Sequence, residues 1–157
     1  MKKILFVSSS GGHFSELYKI KDVAKDFKKT LIAEKTPNFK TDFCDKQYFV
    51  KEINRKENFF IIKFIFLFLK ELFIFLKERP DYVITTGALC AYPISKIAKF
   101  FRKKIIYIES YARVYDLSMT GKKMYKFADL FLVQWPELVK KYPKAKYSGD
   151  VFGGFLE

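Results

Sequence analysis

Three short segments carry residue types that could do chemistry: Ser8-Ser9-Ser10-Gly11-Gly12-His13, Thr85-Thr86-Gly87 and Glu109-Ser110-Tyr111-Ala112-Arg113. In the first, paired glycines let the backbone approach a ligand closely, and amides at a helix start attract phosphate. An ordinary strand–helix turn closed by a serine cap would use the same residues. His13 is the only histidine in the chain. Beside a glycine turn it could polarise or orient a phosphate or hydroxyl, although a lone histidine also serves as a cap or core residue. The second segment offers hydroxyls and another close-approach glycine at a helix start, or simply a capped turn. The third sets a carboxylate, an aromatic ring and a guanidinium close together, which also suits an exposed ion pair. The candidate substrate-binding residues are therefore Ser10, Gly11, Gly12, His13, Thr86, Gly87, Glu109 and Arg113.

Several signatures are missing. The glycine turn is neither GxxxxGK[ST] nor GxGxxG, and the chain contains no HExxH, CxxC or GxSxG. Without an Asp-x-Asp there is no support for a metal-dependent sugar-nucleotide site, and no metal or cofactor is expected. Cys44 and Cys90 are far apart and make no ligand pattern with His13, so both read as reduced thiols.

The elements that would position these segments alternate. Lys3 to Val7 reads as a buried strand, Phe14 to Phe27 as a helix with Leu17, Ile20, Ala24 and Phe27 on one face, and Thr30 to Ala33 as a second strand. A polar connection with Pro37 and Asn38 leads to a third strand at Gln47 to Val50. Further strands are expected at Asp81–Thr85, Lys104–Ile108 and Asp129–Val133. Helices are expected at Ala88–Phe101, Met119–Phe127 and Pro136–Lys141, where Pro136 suits the first helical position. Near-continuous apolar strands alternating with helices predict a single α/β domain over residues 1–157, a Rossmann-like parallel sheet covered on both faces. All three chemical segments then fall at the carboxyl ends of strands, where open α/β sheets bind ligands.

Residues 58–79 (NFFIIKFIFLFLKELFIFLKER) hold seven of the nineteen phenylalanines. Lys63, Lys70 and Lys77 recur every seven residues, which at ~100° per residue puts them on one strip. The rest of the circumference is apolar, more than the roughly 100° stripe one core needs. Arg79-Pro80 closes the helix. A spanning helix wants ~20 mostly apolar residues without central charges, and Lys70-Glu71 would sit near the bilayer centre. The segment is therefore expected to lie in the membrane interface, with Phe60, Phe64, Phe66, Phe68, Phe73 and Phe75 in lipid and Lys70 and Lys77 at the headgroups. Part of its apolar arc could instead dock a partner. The start, MKKILFV, is too short for a signal-peptide core.

With 30 basic against 17 acidic residues the net charge is +13, favouring anionic partners such as phosphorylated ligands or an anionic lipid surface. Only four of the basic residues are arginine. No nucleic acid is expected, because readers of bases lean on arginine's planar fork and the chain has no aromatic RNA-binding motif.

Taken in order, Gly11-Gly12-His13, Thr85-Thr86-Gly87, Ile108-Glu109-Ser110-Tyr111-Ala112-Arg113-Val114, Thr120-Gly121-Lys122 and Ala128-Asp129-Leu130-Phe131-Leu132-Val133-Gln134-Trp135-Pro136 resemble a known family. It is the membrane-anchor subunit of the two-subunit N-acetylglucosaminyltransferase of dolichol-linked glycan assembly, with bacterial relatives of the PssD/CpsF type in capsule and exopolysaccharide synthesis. The Gly-Gly-His turn is also shared with the single-chain enzyme MurG. The resemblance implies the N-terminal, acceptor-side half of a GT-B glycosyltransferase, not catalytic alone, that recruits a donor-binding glycosyltransferase subunit to the cytoplasmic face of the membrane. It implies that Gly11-Gly12-His13 contacts the diphosphate of a lipid-linked sugar acceptor, in bacteria carried on undecaprenyl diphosphate. Thr86, Gly87 and Glu109 match other acceptor-side positions. A general base must sit close to the acceptor hydroxyl; Glu109 is the candidate for it, with His13 as the other catalytic candidate. The chain departs from the eukaryotic pattern at its N-terminus, where no transmembrane segment is expected, and no donor domain is expected before Glu157. A stand-alone α/β enzyme binding a nucleotide or phosphorylated substrate at the Gly-Gly-His turn is the alternative.

Overall fold

The computed structural model describes residues 1–35 and 41–153; the expected connection through Pro37 and Asn38 lies outside the described residues. Seven strands, every pair parallel, form one sheet: β1 Lys3–Ser8, β2 Lys28–Glu34, β3 Lys46–Val50, β4 Tyr82–Thr85, β5 Lys104–Ile108, β6 Leu130–Val133 and β7 Lys146–Tyr147. The helices are α1 Gly12–Lys19, α2 Phe60–Glu78, α3 Ala91–Phe100, α4 Met119–Met124 and α5 Glu137–Lys141. The Rossmann-like architecture is the expected one.

Side chains alternate between the two faces of the sheet. Leu5, Val7, Ile32, Val83, Ile105 and Tyr107 join the core under α2 and α3. Phe6, Leu31, Ala33, Ile84 and Ile108 join the second core, with Leu17 of α1. Strand order is β3-β2-β1-β4-β5-β6-β7. The chain therefore builds outward from β1 to β3, and α2 carries it back to β4 on the other side of β1. The order reverses between β1 and β4, which is where an open sheet forms its ligand crevice.

Three helices are shorter than expected, among them α4, which stops at Met124 and not at Phe127. The expected helix to Phe27 ends at Lys19, and a 3-10 turn over Lys21–Ala24 continues it; a repeat of three keeps Leu17 and Ala24 inward almost as well as 3.6. The expected start at Ala88 moves to Ala91, because Gly87 and Ala88 both take positive φ, +119° and +73°. Alanine is strained there by about 1–2 kcal/mol.

Helix α2 corrects part of the expected lipid face. Its buried side is Leu67, Glu71, Ile74, Phe75 and Glu78. Phe75 is 3% exposed and stacks on Phe101 at 5.3 Å, so it is core and not a lipid contact. Phe60 and Phe64 are half-buried against the same core. Phe66 and Phe73 are open at 68% and 66%, with Ile61, Ile62, Ile65, Leu69 and Leu76 beside them. Phe68 is open too and lines an apolar groove of ≈ 460 Å³ with Leu72, Leu76, Ile97 and Phe100. The lysine strip flanks the sheet edge: Lys70 Nζ donates to the Phe49 carbonyl at 2.6 Å, and Lys77 Nζ lies 5.6 Å from the Tyr48 ring centre. Among the described residues no helix is long and apolar enough to cross a membrane.

Candidate functional site

The β1–α1 turn and the β4–α3 turn meet across the reversal point. Gly11 begins α1 with φ +78°, and no side chain caps the helix. The serine cap is thus absent, and the first-turn amides keep their partial positive charge for another acceptor. Two buried polar atoms bracket the turn without a hydrogen-bond partner among the described residues: Ser8 Oγ and His13 Nδ1. Such orphans are uncommon in folded interiors.

Gly87 explains why His13 sits where it does. A Cβ on Gly87 would lie 3.2 Å from His13 Cε1 and 3.2 Å from the Tyr107 hydroxyl, in a backbone conformation that side chains rarely adopt. The imidazole therefore rests on bare backbone. Thr86 Oγ1 donates to the His13 carbonyl at 2.6 Å, and Thr85 Oγ1 accepts from the Gly87 amide at 3.0 Å. Both threonines are fully buried. Thr86, expected to touch substrate, instead fastens one turn to the other, and its neighbour Thr85 fixes the glycine.

Glu109 also differs from its expected role. It is 0% exposed. Its Oε1 accepts from the Ser110 amide at 3.0 Å and the Tyr107 hydroxyl at 3.4 Å. Its Oε2 accepts from the Ser118 amide at 2.9 Å and the Ser118 hydroxyl at 3.1 Å. A Cβ on Gly121 would fall inside contact distance of Oε2, so only glycine leaves room for this carboxylate. With both oxygens occupied and no open face, Glu109 organises the loop over residues 110–118. Asp116 staples the far end of that loop, accepting from Lys122, Lys141 and Tyr142. Those hydrogen bonds hold its carboxyl well below the usual range. Arg113 stays exposed on the loop, with its amide bonded to the Ser110 carbonyl at 2.9 Å, and Ser10 is half-buried beside the first turn.

A second carboxylate, Glu16 of α1, was not among the expected site residues. It is 4% exposed and accepts from Ser110 Oγ at 2.9 Å, the Tyr111 amide at 3.2 Å and Gln134 Nε2 at 3.0 Å. Burial raises its pKa above the ordinary glutamate value, while these bonds and His13 oppose that rise. Gln134 also donates to the Glu109 carbonyl at 2.9 Å, joining α1, β5 and β6 at one edge. The only sequence signal was its spacing, three residues after His13 on the same helix.

A single Rossmann-like lobe with its glycine turns at the reversal point is the N-terminal half of the MurG-like GT-B fold. MurG of Acinetobacter baumannii superposes with a TM-score of 0.66 at 15% identity, over 87% of this chain and 42% of that one. The profile of the family described as "Oligosaccharide biosynthesis protein Alg14 like" matches residues 50–151. The "UDP-N-acetylglucosamine transferase subunit ALG14" of Yarrowia lipolytica is 30% identical over 156 residues, 94% of this chain and 67% of that protein. The corresponding subunit of Schizosaccharomyces pombe is 46% identical over 77 residues, 46% of this chain but only 37% of that protein. The chain belongs to the Alg14-like family.

Proposed function

We propose that the chain is the acceptor-side, non-catalytic subunit of a two-component glycosyltransferase, forming one domain that rests on the cytoplasmic face of a membrane. It would hold a lipid-diphosphate-linked sugar for a separate donor-binding partner. The observation that carries this reading is the uncapped α1 turn, with Ser8 Oγ and His13 Nδ1 unpartnered, at the reversal point of a chain whose relatives are named transferase subunits. Backbone amides and helix polarity suit a diphosphate, and His13 would orient it. In this reading Glu109 positions the loop and catalysis rests with the partner.

Helix α2 would seat the lobe. Its outward phenylalanines and isoleucines enter the interface while Lys70 and Lys77 stay near anionic headgroups. A lipid-linked diphosphate acceptor would be presented at that same interface. The relatives named as transferase subunits include fungal and mammalian proteins. The expected capsular or exopolysaccharide product and its undecaprenyl carrier find no support among these relatives, and the reading is kept to the family's description, oligosaccharide biosynthesis.

Binding of a short-chain prenyl-diphosphate sugar to the purified chain tests the reading. It should bind, and Gly87→Ala should weaken it. Tight binding of UDP-N-acetylglucosamine by the isolated chain, with none of the lipid diphosphate, would contradict it.

A further inference from the structure

Beside the glycine turns lies a group of rings that the proposed reading does not use. Tyr111 and Trp135 pack at 4.9 Å between ring centres, and Phe152 meets Tyr111 edge-on at 5.3 Å. Tyr111 is 36% and Phe152 50% exposed. These rings are fixed from below. Trp135 Nε1 donates to the Tyr111 carbonyl at 2.6 Å, and the Tyr111 amide donates to buried Glu16. Gln134, next to Trp135 in the chain and also buried, donates to the same carboxylate and accepts from the Val151 amide at 3.0 Å, which anchors the segment carrying Phe152. Preorganised rings on a satisfied polar network are the build of a binding platform rather than of loose surface grease.

Position identifies the occupant. Glu16 stands three residues after His13 on α1, a rise of about 4.5 Å, and it holds the Tyr111 backbone directly. In a diphosphate-linked sugar the pyranose ring is bonded to the phosphate, so a phosphate at the Gly-Gly-His turn would carry its sugar beside the start of α1, whose Glu16 holds the Tyr111 backbone. A pyranose has an apolar C–H face that stacks on aromatic rings, while its hydroxyls need polar neighbours. The exposed Arg113 and Tyr115, on the same loop, can supply those. We propose that Tyr111 and Trp135 form a stacking platform for the pyranose ring of the acceptor sugar. The assignment rests on the acceptor-side reading given above.

Trp135 is the only tryptophan in the chain, so its fluorescence reports on the platform without labelling. The full chain is titrated with N-acetylglucosamine 1-phosphate, and separately with inorganic phosphate and with sorbitol, which has hydroxyls but no ring. The sugar phosphate should produce a saturable change in Trp135 emission, and the other two none. Tyr111→Leu should weaken that response about tenfold, in line with the loss of an aromatic contact, while Tyr111→Phe retains it. A silent Trp135 while phosphorus NMR detects sugar-phosphate binding would overturn the platform and leave the acceptor-side reading standing. No binding by either method would overturn both. Equal affinity in Tyr111→Leu, or an emission change seen only on adding the catalytic partner, would also overturn the platform, the latter by making it a subunit contact.

Discussion

Phe66, Phe73 and Phe75 share one helix and one side-chain chemistry but differ in what covers them: they are 68%, 66% and 3% exposed. A phenylalanine presents about 200 Å², so Phe66 and Phe73 each leave about 130 Å² uncovered. At ~25 cal/mol per Å² that is about 3 kcal/mol per ring on full transfer to hydrocarbon, and about half at the interface. Changing either to Ser should weaken vesicle binding by about 10- to 100-fold, with folding stability moved by no more than ~0.5 kcal/mol. Phe75→Ser is the opposite case. It opens a cavity beside Phe101 and buries a hydroxyl, and should destabilise the fold by about 3–5 kcal/mol. Cosedimentation with vesicles containing anionic lipid, paired with thermal unfolding of the same samples, separates the two. Wild-type vesicle binding by the Phe66→Ser, Phe73→Ser double variant would refute α2 as the membrane seat. An unchanged melting temperature for Phe75→Ser would refute the buried face assigned to it.

Beneath α2, burial and the Glu52 charge raise the Glu34 carboxyl to about 7, and Glu71 is raised as well, chiefly by burial. The native state then keeps a proton that the unfolded chain, titrating near 4.3, has released. Stability should fall as pH rises from about 4.5 through 7, and Glu34→Gln should flatten part of that slope in urea titrations run across the range. Gly121→Ala gains helix propensity of about 1 kcal/mol but drives a Cβ into Glu109. Overpacking of about 1–3 kcal/mol, together with loss of the Glu109–Ser118 bonds, should leave a net destabilisation and faster hydrogen exchange over residues 110–118. Gly87→Ala should cost about 1–3 kcal/mol of backbone strain and displace His13, lowering acceptor affinity more than stability; a loss of stability with intact affinity would count against the role given to His13.

The strands were legible because a parallel sheet buried on both faces writes itself as near-continuous apolar runs, as in Lys3–Val7 and Lys104–Ile108. The extra strand at Lys146–Tyr147 was not, since two residues carry no period. Helix α2 was visible from its phenylalanines, but its lipid face was only partly so. Glu71 and Glu78 each follow a lysine and read as polar surface, yet one residue's rotation turns them into the core. The glycine turns stood out by residue type. What those glycines accommodate did not, because the contacts of Gly87 with His13 and of Gly121 with Glu109 cross many residues of sequence. Glu16 was not legible, because its spacing from His13 alone does not tell a buried glutamate from a solvated one on a short helix.

Sugar transfer from UDP-N-acetylglucosamine to a short-chain prenyl-diphosphate sugar on vesicles, assayed with this chain, with its donor-binding partner and with both, tests the subunit assignment most directly. Transfer should appear only in the mixture, and Gly87→Ala in this chain should reduce it. Robust transfer by this chain alone, or by the partner alone at the rate of the mixture, would contradict the assignment.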